Sequence, residues 1–261
     1  MIIKSLVCSS TRMSAIAALR EGPMNISELS LQLKLTPSSI LHSIKEIVED
    51  GTIEKHGGRY SLSSTGKIKA ALIDSMGQSL AVLEANKAFW PGHDVSGIPD
   101  NMLARIGELR GCTCIEDDDE IVMKSLAYAI EQTSKARHVW GISPVIAPGH
   151  QEMVLGLLAN GAEVNLILTK SIIKGIDPGL LCGLLALPNF HLYEVEDDLL
   201  SLGLYGVRLT LTVADDMLSL GLYLPGGAYD TNHDLVCQGE EAAGWGRDLF
   251  EHYREQAKEV V

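Results

Sequence analysis

MNISELSLQLKLTPSSILHSIKEIVEDGTIEKHGGRYSLSSTGKIKA, residues 24–70, is the stretch from which the architecture follows. Ile26, Leu29 and Leu33 recur on one helical face, behind Asn25 as N-cap. Leu35-Thr36-Pro37 breaks that pattern. Thr36 caps a second helix, and Pro37 suits its first position, where a missing N–H costs nothing. The second helix carries its apolar stripe at Ile40, Ile44, Ile47 and Val48. Ser38, Ser39, His42, Ser43 and Lys45 are left at its start and on its outward faces. Gly51 stops the helix. Strands are predicted over 52–55 and 59–62, joined by a tight Gly57-Gly58 turn.

Helix, turn, helix and hairpin in that order look like a winged helix-turn-helix domain, whose second helix enters a DNA major groove. Ser38, Ser39, His42 and Lys45 are then the residues facing base edges. Lys55 and Arg59 on the wing, with His56 between them, reach phosphates or the minor groove. The charge is segregated in the same sense. The chain of 261 residues has a formal net charge of −13. Residues 1–70 hold 9 Lys/Arg and 6 Asp/Glu (net +3), and residues 71–261 hold 12 and 28 (net −16). An acidic body repels phosphate, so a DNA-contacting surface is confined to the head.

Outward from this stretch, residues 11–20 read as the head's first helix. A long helix is predicted over 67–89, with Ile68, Leu72, Met76, Leu80 and Leu83 forming a seam of coiled-coil type. Such a seam suits pairing with a twin, giving a homodimer that reads a palindromic operator. Trp90-Pro91-Gly92 breaks the helix, 93–99 is a connector, and a short helix follows to about 109. From Cys112 strands and helices alternate: strands over 112–116, 138–142, 163–169, 191–195, 208–213 and 219–224, helices over 118–132, 150–159 and 171–187, and a closing helix over 240–258. The fold class is a multi-domain α/β protein, an N-terminal winged helix-turn-helix plus a C-terminal α/β domain with a mixed sheet, parallel in its first half and antiparallel at its end. The domain boundaries read as 1–66 for the head, 67–111 for the dimer helix and connector, and 112–261 for a sensory or effector domain.

Motif chemistry is sparse. There is no Gly-x-x-x-x-Gly-Lys loop, no Gly-x-Ser-x-Gly elbow and no His-Glu-x-x-His helix, and Gly244-Trp245-Gly246 lacks a third glycine. Cys112 and Cys114 share a strand face and read as small buried residues, with redox sensing or metal binding as the functional alternative. The acidic run 116–120 reads as a helix start and, alternatively, as a hard-cation site. Five cysteines, an odd number, and the lack of an apolar leader point to a cytoplasmic protein with free thiols. No run is apolar enough for a membrane span. No catalytic residue, metal ligand or cofactor is assigned.

The chain resembles a family on residues spread along its length: 83–90 (LEANKAFW), His93-Asp94, Gly97-Ile98-Pro99, 105–109 (RIGEL), 219–222 (SLGL), Tyr229-Asp230 and the closing helix Trp245-Gly246…Asp248-Leu249-Phe250…Tyr253-Arg254. These are similar to archaeal, methanogen-type winged-helix transcription regulators with a filament-regulator (FilR-type) middle domain. That resemblance implies a DNA-binding regulator and no established catalytic residues. A more distant likeness is to archaeal sugar-responsive regulators with a phospholipase-D-like sensor. None of the eight histidines is followed two residues later by lysine, so the hydrolytic motif of that fold is missing.

Ligands of open α/β sheets bind beyond the carboxyl ends of the strands. Here those ends bring Ser143, Thr169, Lys170 and Ser171, a set suited to an anionic small molecule. Two other readings stay open. One is a small-molecule enzyme with a fused DNA-binding head, built on the His93/Asp94 and Asp215/Asp216 pairs; the other is a regulator whose C-terminal domain docks a protein partner.

Overall fold

Helix α1 (Ser10–Ala18) begins where the Ser9 hydroxyl accepts the Arg12 N–H at 3.3 Å. The computed structural model describes residues 9–116, 124–146, 148–197 and 206–261. Contacts divide the chain into two units, Met1–Gln78 and Ser79–Val261. In the first unit, α2 (Ile26–Leu33) opens with a reciprocal capping box between Asn25 and Glu28. Lys34 in the left-handed region (φ 54°) closes that helix. Helix α3 (Pro37–Glu49) opens on Thr36, whose side chain accepts the Ser39 N–H, with proline in the first turn. Strands β1 (Ile53–His56) and β2 (Arg59–Leu62) pair antiparallel. Gly57 and Gly58 both take positive φ, as a two-residue hairpin turn demands.

The inner face of α3 differs from the sequence reading at two positions. Ser43 is buried and Val48 is 37% exposed, because the stripe follows 40, 43/44 and 47 without drifting to 48. Ile16, Leu29, Ile40, Ile44, Ile53 and Tyr60 meet in one core. Helix α4 (Ser64–Ala85) starts on Ser63, whose hydroxyl accepts the Gly66 N–H and donates to the Gly51 carbonyl. A Cβ at Gly66 would sit 2.0 Å from the Thr52 carbonyl oxygen, so glycine is what lets α4 lie against the start of β1. The division between the units falls inside α4. Ile68, Leu72, Leu80 and Leu83 are exposed along it, at 65%, 61%, 53% and 40%.

The second unit is built on an eight-stranded mixed sheet in the order β10-β6-β5-β4-β7-β8-β9-β3 among the described residues. Its strands are β3 (Thr113–Glu116), β4 (His138–Ser143), β5 (Glu163–Thr169), β6 (Phe190–Val195), β7 (Leu209–Ala214), β8 (Met217–Tyr223), β9 (Tyr229–Gln238) and β10 (Lys258–Glu259). β4, β5 and β6 are parallel, and the other pairings are antiparallel. β3, expected in the parallel half, lies instead at the far edge against β9. Between the strands run α5 (Asp100–Leu103), α6 (Lys124–Thr133), α7 (His150–Ala159), α8 (Lys170–Gly175), α9 (Pro178–Leu185) and the closing α10 (Glu240–Arg254). Asp117–Glu120 of the acidic run, and with them its cation and capping readings, lie outside the described residues, as do the first residues of the helix expected over 118–132.

One sheet face is covered by α10. Trp245, Leu249 and Phe250 pack there against Leu211, Val213 and Leu218. A Cβ at Gly246 would sit 2.5 Å from Val213 and 2.6 Å from Leu218, so this glycine sets how closely the helix approaches β7 and β8. Where the sequence reading placed a separate connector, Phe89, Ile98, Met102, Ile106 and Leu109 belong to the same core. Trp245 donates its indole N–H to the Met102 carbonyl (3.1 Å), and the Tyr253 hydroxyl donates to Gly97 (2.6 Å). The expectation of free thiols is corrected at two positions: Cys112 and Cys237 form a disulfide. The reason is register, since Thr113 pairs with Val236 and the residues one step outward face each other.

In the first unit the end of α3 is locked to β1 and α4 by one carboxylate. Asp50 accepts from the Thr52 N–H (3.0 Å), from the Thr52 hydroxyl and from Lys69 Nζ (3.1 Å). Burial opposes its charge, yet the hydrogen bonds from Thr52 and Lys69 hold its pKa below the ordinary aspartate value. A depressed folded-state pKa means a contribution present above the unfolded value, about 4, and lost as pH falls through the folded one. Asp50→Asn should therefore cost about 1 kcal/mol at neutral pH, allowing for partial exposure of the carboxylate. Urea unfolding across a pH series from 7 downward checks this: the variant and the parent should differ at pH 7, and the difference should shrink as the pH falls below about 4.

Candidate functional site

In the head, Ser38, Ser39, His42 and Lys45 all stand exposed on α3. The two basic side chains have acidic neighbours one turn on: His42 Nε2 lies 3.6 Å from Glu46, and Lys45 Nζ lies 3.9 Å from Glu49. On the hairpin, Lys55 Nζ stands 5.4 Å above the Tyr60 ring. Arg59 is engaged differently from a free wing cation. Its guanidinium binds Glu28 at 2.8 and 3.1 Å and donates to the Pro23 carbonyl at 2.5 and 3.2 Å. Glu28 is held below the usual glutamate pKa by the Asn25 N–H, against a burial cost, and by Arg59. The capping box of α2 and the hairpin are thus one hydrogen-bonded assembly, and Arg59 fixes where the hairpin sits.

Strand alternation gives the other face of the large sheet its chemistry. Leu209, Leu211 and Val213 face α10, so Thr210 and Thr212 face the opposite way. There they line a cavity of about 400 Å³ between the sheet and the helices α6 to α9. Its walls are apolar, Val154, Leu166, Leu168 and Ile172 among them, and its floor is Thr210, Thr212, Ser219, Tyr229 and Asp234. Tyr229 Oη lies 2.9 Å from Thr210 Oγ1 and donates to Asp234 Oδ1 at 3.4 Å. Burial first, and then the Asp234 charge, push the Tyr229 pKa far up, which keeps it a neutral donor. Gly221 lies beneath this group, and a Cβ there would meet Tyr229, Asp234 and Thr210 at once.

Of the four residues expected at the strand ends, Ser143 lines this cavity, its hydroxyl donating to the Val145 carbonyl. The other three gather elsewhere. Lys170 Nζ binds Glu196 at 3.0 Å, and that carboxylate raises its pKa. Ser171 donates to Asp197 at 2.5 Å from its hydroxyl, which is 3.3 Å from that of Thr169. Two carboxylates therefore occupy the place where an anion was expected. His150 also lines the cavity, with a pKa lowered by burial.

The acid–base pairs behind the enzyme reading are dispersed. Asp94 pairs with Arg208 at 3.0 Å, and its backbone N–H donates to the Tyr223 carbonyl. Asp215 (φ 47°) and Asp216 form the β7–β8 turn, with the Asp215 carboxylate accepting from the N–H groups of Arg137 and His138. His93 turns instead to β9, where its Nε2 lies 3.0 Å from Asp230 Oδ2. His233 Nδ1 is 2.8 Å from the same oxygen. Asp230 is held below the usual aspartate pKa, against burial, by the Asn232 N–H and by His233 and His93. Cys114 is no reactive thiol: burial and the charges of Glu116, Asp234 and Asp230 push its pKa up to about 11. The Tyr229 and Asp234 part of the cavity floor and the His–Asp–His cluster were missed in the sequence because Tyr229, Asp230, His233 and Asp234 lie on β9, whose polar run gave no strand signal.

Comparison with known proteins fits the two units. Residues 1–81 match the family described as the N-terminal domain of methanogenesis regulatory protein FilR1, and residues 123–256 match its middle domain. Methanogenesis regulatory protein FilR1 of Methanothrix harundinacea (strain 6Ac) is 28% identical over 265 residues, covering 99% of this chain and 58% of that protein. The chain therefore spans a little over half the length of that relative. Among solved structures, the archaeal chromatin protein TrmBL2 aligns over 94% of this chain and 92% of its own, with 14% identity and a TM-score of 0.45. NucT from Helicobacter pylori aligns over 57% of this chain and 98% of its own, with 14% identity and a TM-score of 0.42. Both likenesses are remote and carry no argument about function. The two family matches, one to each end of the chain, do: this chain belongs to the FilR1 family of methanogenesis regulatory proteins.

Proposed function

We propose that this chain is a cytoplasmic transcription regulator that binds double-stranded DNA as a homodimer through a winged-helix head, with a C-terminal domain that binds a small effector. The observation that carries the DNA-binding part is the outward face of α3, where Ser38, Ser39, His42 and Lys45 stand exposed at the helix start and along one side. Family membership points the same way. In this reading α3 lies in the major groove, Lys55 on the hairpin meets phosphate, and Arg59 acts by placing the hairpin. We also read the mixed-sheet domain as phospholipase-D-like in topology and without that fold's chemistry, since no His-x-Lys motif is present.

The dimer rests on α4. Four large aliphatic side chains at 40–65% exposure along one helix have an apolar face to cover, and a second copy of the same helix is the self-complementary cover. The effector reading rests on the cavity. Apolar walls above a floor of hydroxyls suit a neutral, largely apolar molecule with a hydrogen-bonding head, whereas an anion would meet Asp234. This replaces the anionic ligand that the strand-end residues suggested, because Lys170 is bound to Glu196.

Three outcomes test the reading. In DNA binding measured across a salt series, Lys45→Ala with Lys55→Ala should weaken affinity for any duplex and flatten the slope of log K against log salt, by about 0.9 for each phosphate that is no longer neutralised. An unchanged slope removes both residues from the interface. In sedimentation at micromolar concentration the parent should run as a dimer and Leu72→Glu as a monomer; a parent that is already monomeric sinks the α4 pairing. In thermal-shift titrations medium-chain alcohols and primary amides should raise the melting temperature of the parent, and Val154→Phe, which puts a ring into the cavity, should abolish the effect. Stabilisation by carboxylates alone, or an undiminished response in Val154→Phe, would overturn the cavity assignment.

A further inference from the structure

The cluster of His93, Asp230 and His233 is organised from the inside outward. Three ligand atoms converge: His93 Nε2 and His233 Nδ1 stand 3.0 and 2.8 Å from Asp230 Oδ2, and all three lie within 4.8 Å of one another. Each of the three side chains is also held from behind. His93 Nδ1 lies 2.6 Å from the Phe89 carbonyl oxygen, and the imidazole stacks on the Phe89 ring at 4.1 Å. His233 Nε2 faces Glu116 Oε1 at 3.5 Å. Asp230 Oδ1 accepts the Asn232 N–H at 2.9 Å.

The donor count makes this arrangement unusual. Both nitrogens of His93 face oxygens that can only accept, and so do both nitrogens of His233. A neutral imidazole has one N–H. If the outer nitrogens give theirs to Phe89 and Glu116, two lone pairs are left pointing at a carboxylate oxygen. A cation at the point of convergence removes that conflict. Metal-bound histidines almost always donate their other N–H to a backbone carbonyl or a carboxylate; here the Phe89 carbonyl is in place behind His93, and the Glu116 carboxylate stands 3.5 Å behind His233. The two histidines and the carboxylate are also a donor set suited to first-row transition ions rather than to calcium or magnesium.

We propose that His93 Nε2, Asp230 Oδ2 and His233 Nδ1 form a three-residue site for a divalent transition metal ion of the zinc class, with water completing the coordination. A tetrahedral ion with bonds of 2.0–2.1 Å sets its ligand atoms roughly 3.3 Å apart. The cluster needs to open by only a few tenths of an ångström around Asp230 and to draw the two imidazoles together. The His93 and Asp230 side chains are 4% and 7% exposed, whereas that of His233, at 33%, leaves a path for the ion and a place for the water. The ion would tie the segment after α4, through His93, to β9. The inference is independent of DNA binding and of the cavity's effector.

The test uses the full chain, stripped with a chelator and titrated with Zn2+ against a chromophoric competitor, with Co2+ as spectroscopic probe. One ion per chain is expected, with Co2+ giving the intense visible bands of a low-coordinate nitrogen and oxygen site. His233→Gln should weaken Zn2+ binding by at least tenfold, and Glu116→Gln, acting only behind His233, by about tenfold. Asp230→Asn should do the same as His233→Gln; should that buried variant fail to fold, His233→Gln at the partly exposed position carries the test alone. His252→Gln, on the outer side of α10, should leave the affinity unchanged. Absence of stoichiometric binding overturns the proposal. So does binding that a folded His233→Gln retains in full, which would place the ion on the thiols of Cys114 and Cys182 or on surface carboxylates.

Discussion

The second unit depends on the approach of α10 to the middle of the sheet. Trp245, Leu249 and Phe250 are almost wholly buried, and truncating any one would cost about 2–5 kcal/mol, a large part of a domain's net stability. Gly246 permits this, because Val213 and Leu218 already fill the space that a side chain would need. The consequence runs beyond packing. Trp245 and Tyr253 each donate a hydrogen bond to a backbone carbonyl of the 97–102 segment, which holds that segment on the same face. Asp94 then pairs with Tyr223 through the backbone and with Arg208 through the side chain. His93, next to Asp94, then meets Asp230. One helix–sheet contact therefore places a side chain that lies 137 residues from its partner.

The head poses a different problem, which magnitudes decide. His42 and Lys45 have acidic neighbours one turn away, as though the surface we propose for phosphate were already neutralised. Exposed pairs of this spacing are worth about 0.3–0.5 kcal/mol and are screened by salt. Exchanging such a partner for a phosphate costs little. Arg59 is not of this kind: it makes two hydrogen bonds to Glu28 and two to the Pro23 carbonyl, and releasing it would also loosen the capping box of α2. The same charge on the same hairpin thus divides into an available cation, Lys55, and a structural one, Arg59.

Much of this was legible in the sequence where local chemistry and tertiary packing agree. Asn25, Thr36-Pro37 and Gly57-Gly58 each have a conformational job that neighbours cannot alter, and the helices and hairpin of the head follow from them. EVNLILT reads as a strand covered on both faces, and β5 occupies those seven residues. Legibility failed where a strand is formed by its neighbours. YDTNHDLVCQ is rich in residues that strands avoid, yet it forms β9, held by β8 at Tyr229 and from Asp234 to Gln238 and by β3 from His233 to Val236. With β9 unseen, Cys237 could not be set opposite Cys112, nor Asp230 and His233 near His93. The anion site failed for another reason: Glu196 and Asp197 follow β6, and only the parallel pairing of β5 with β6 brings them beside Lys170 and Ser171.

The irregular part of β9 also explains why two such different sites lie side by side. From Gly221 to Tyr223, β8 advances two residues, while its partner passes from Asp234 back to Tyr229, five residues. The surplus cannot stay in the ladder. It bulges, the Asn232 N–H and His233 Nδ1 both reaching the Asp230 carboxylate, and the bulge brings Asp230 and His233 to His93. Where the ladder is regular again, Tyr229 and Asp234 face the cavity and share its polar floor with Thr210. Six consecutive residues thus serve both faces of the domain, and packing of this density does not deform continuously. On the two readings proposed above, a molecule displacing Tyr229 or Asp234 would press on the segment that holds Asp230 and His233, and an ion fixing Asp230 and His233 would stiffen the floor on which that molecule rests.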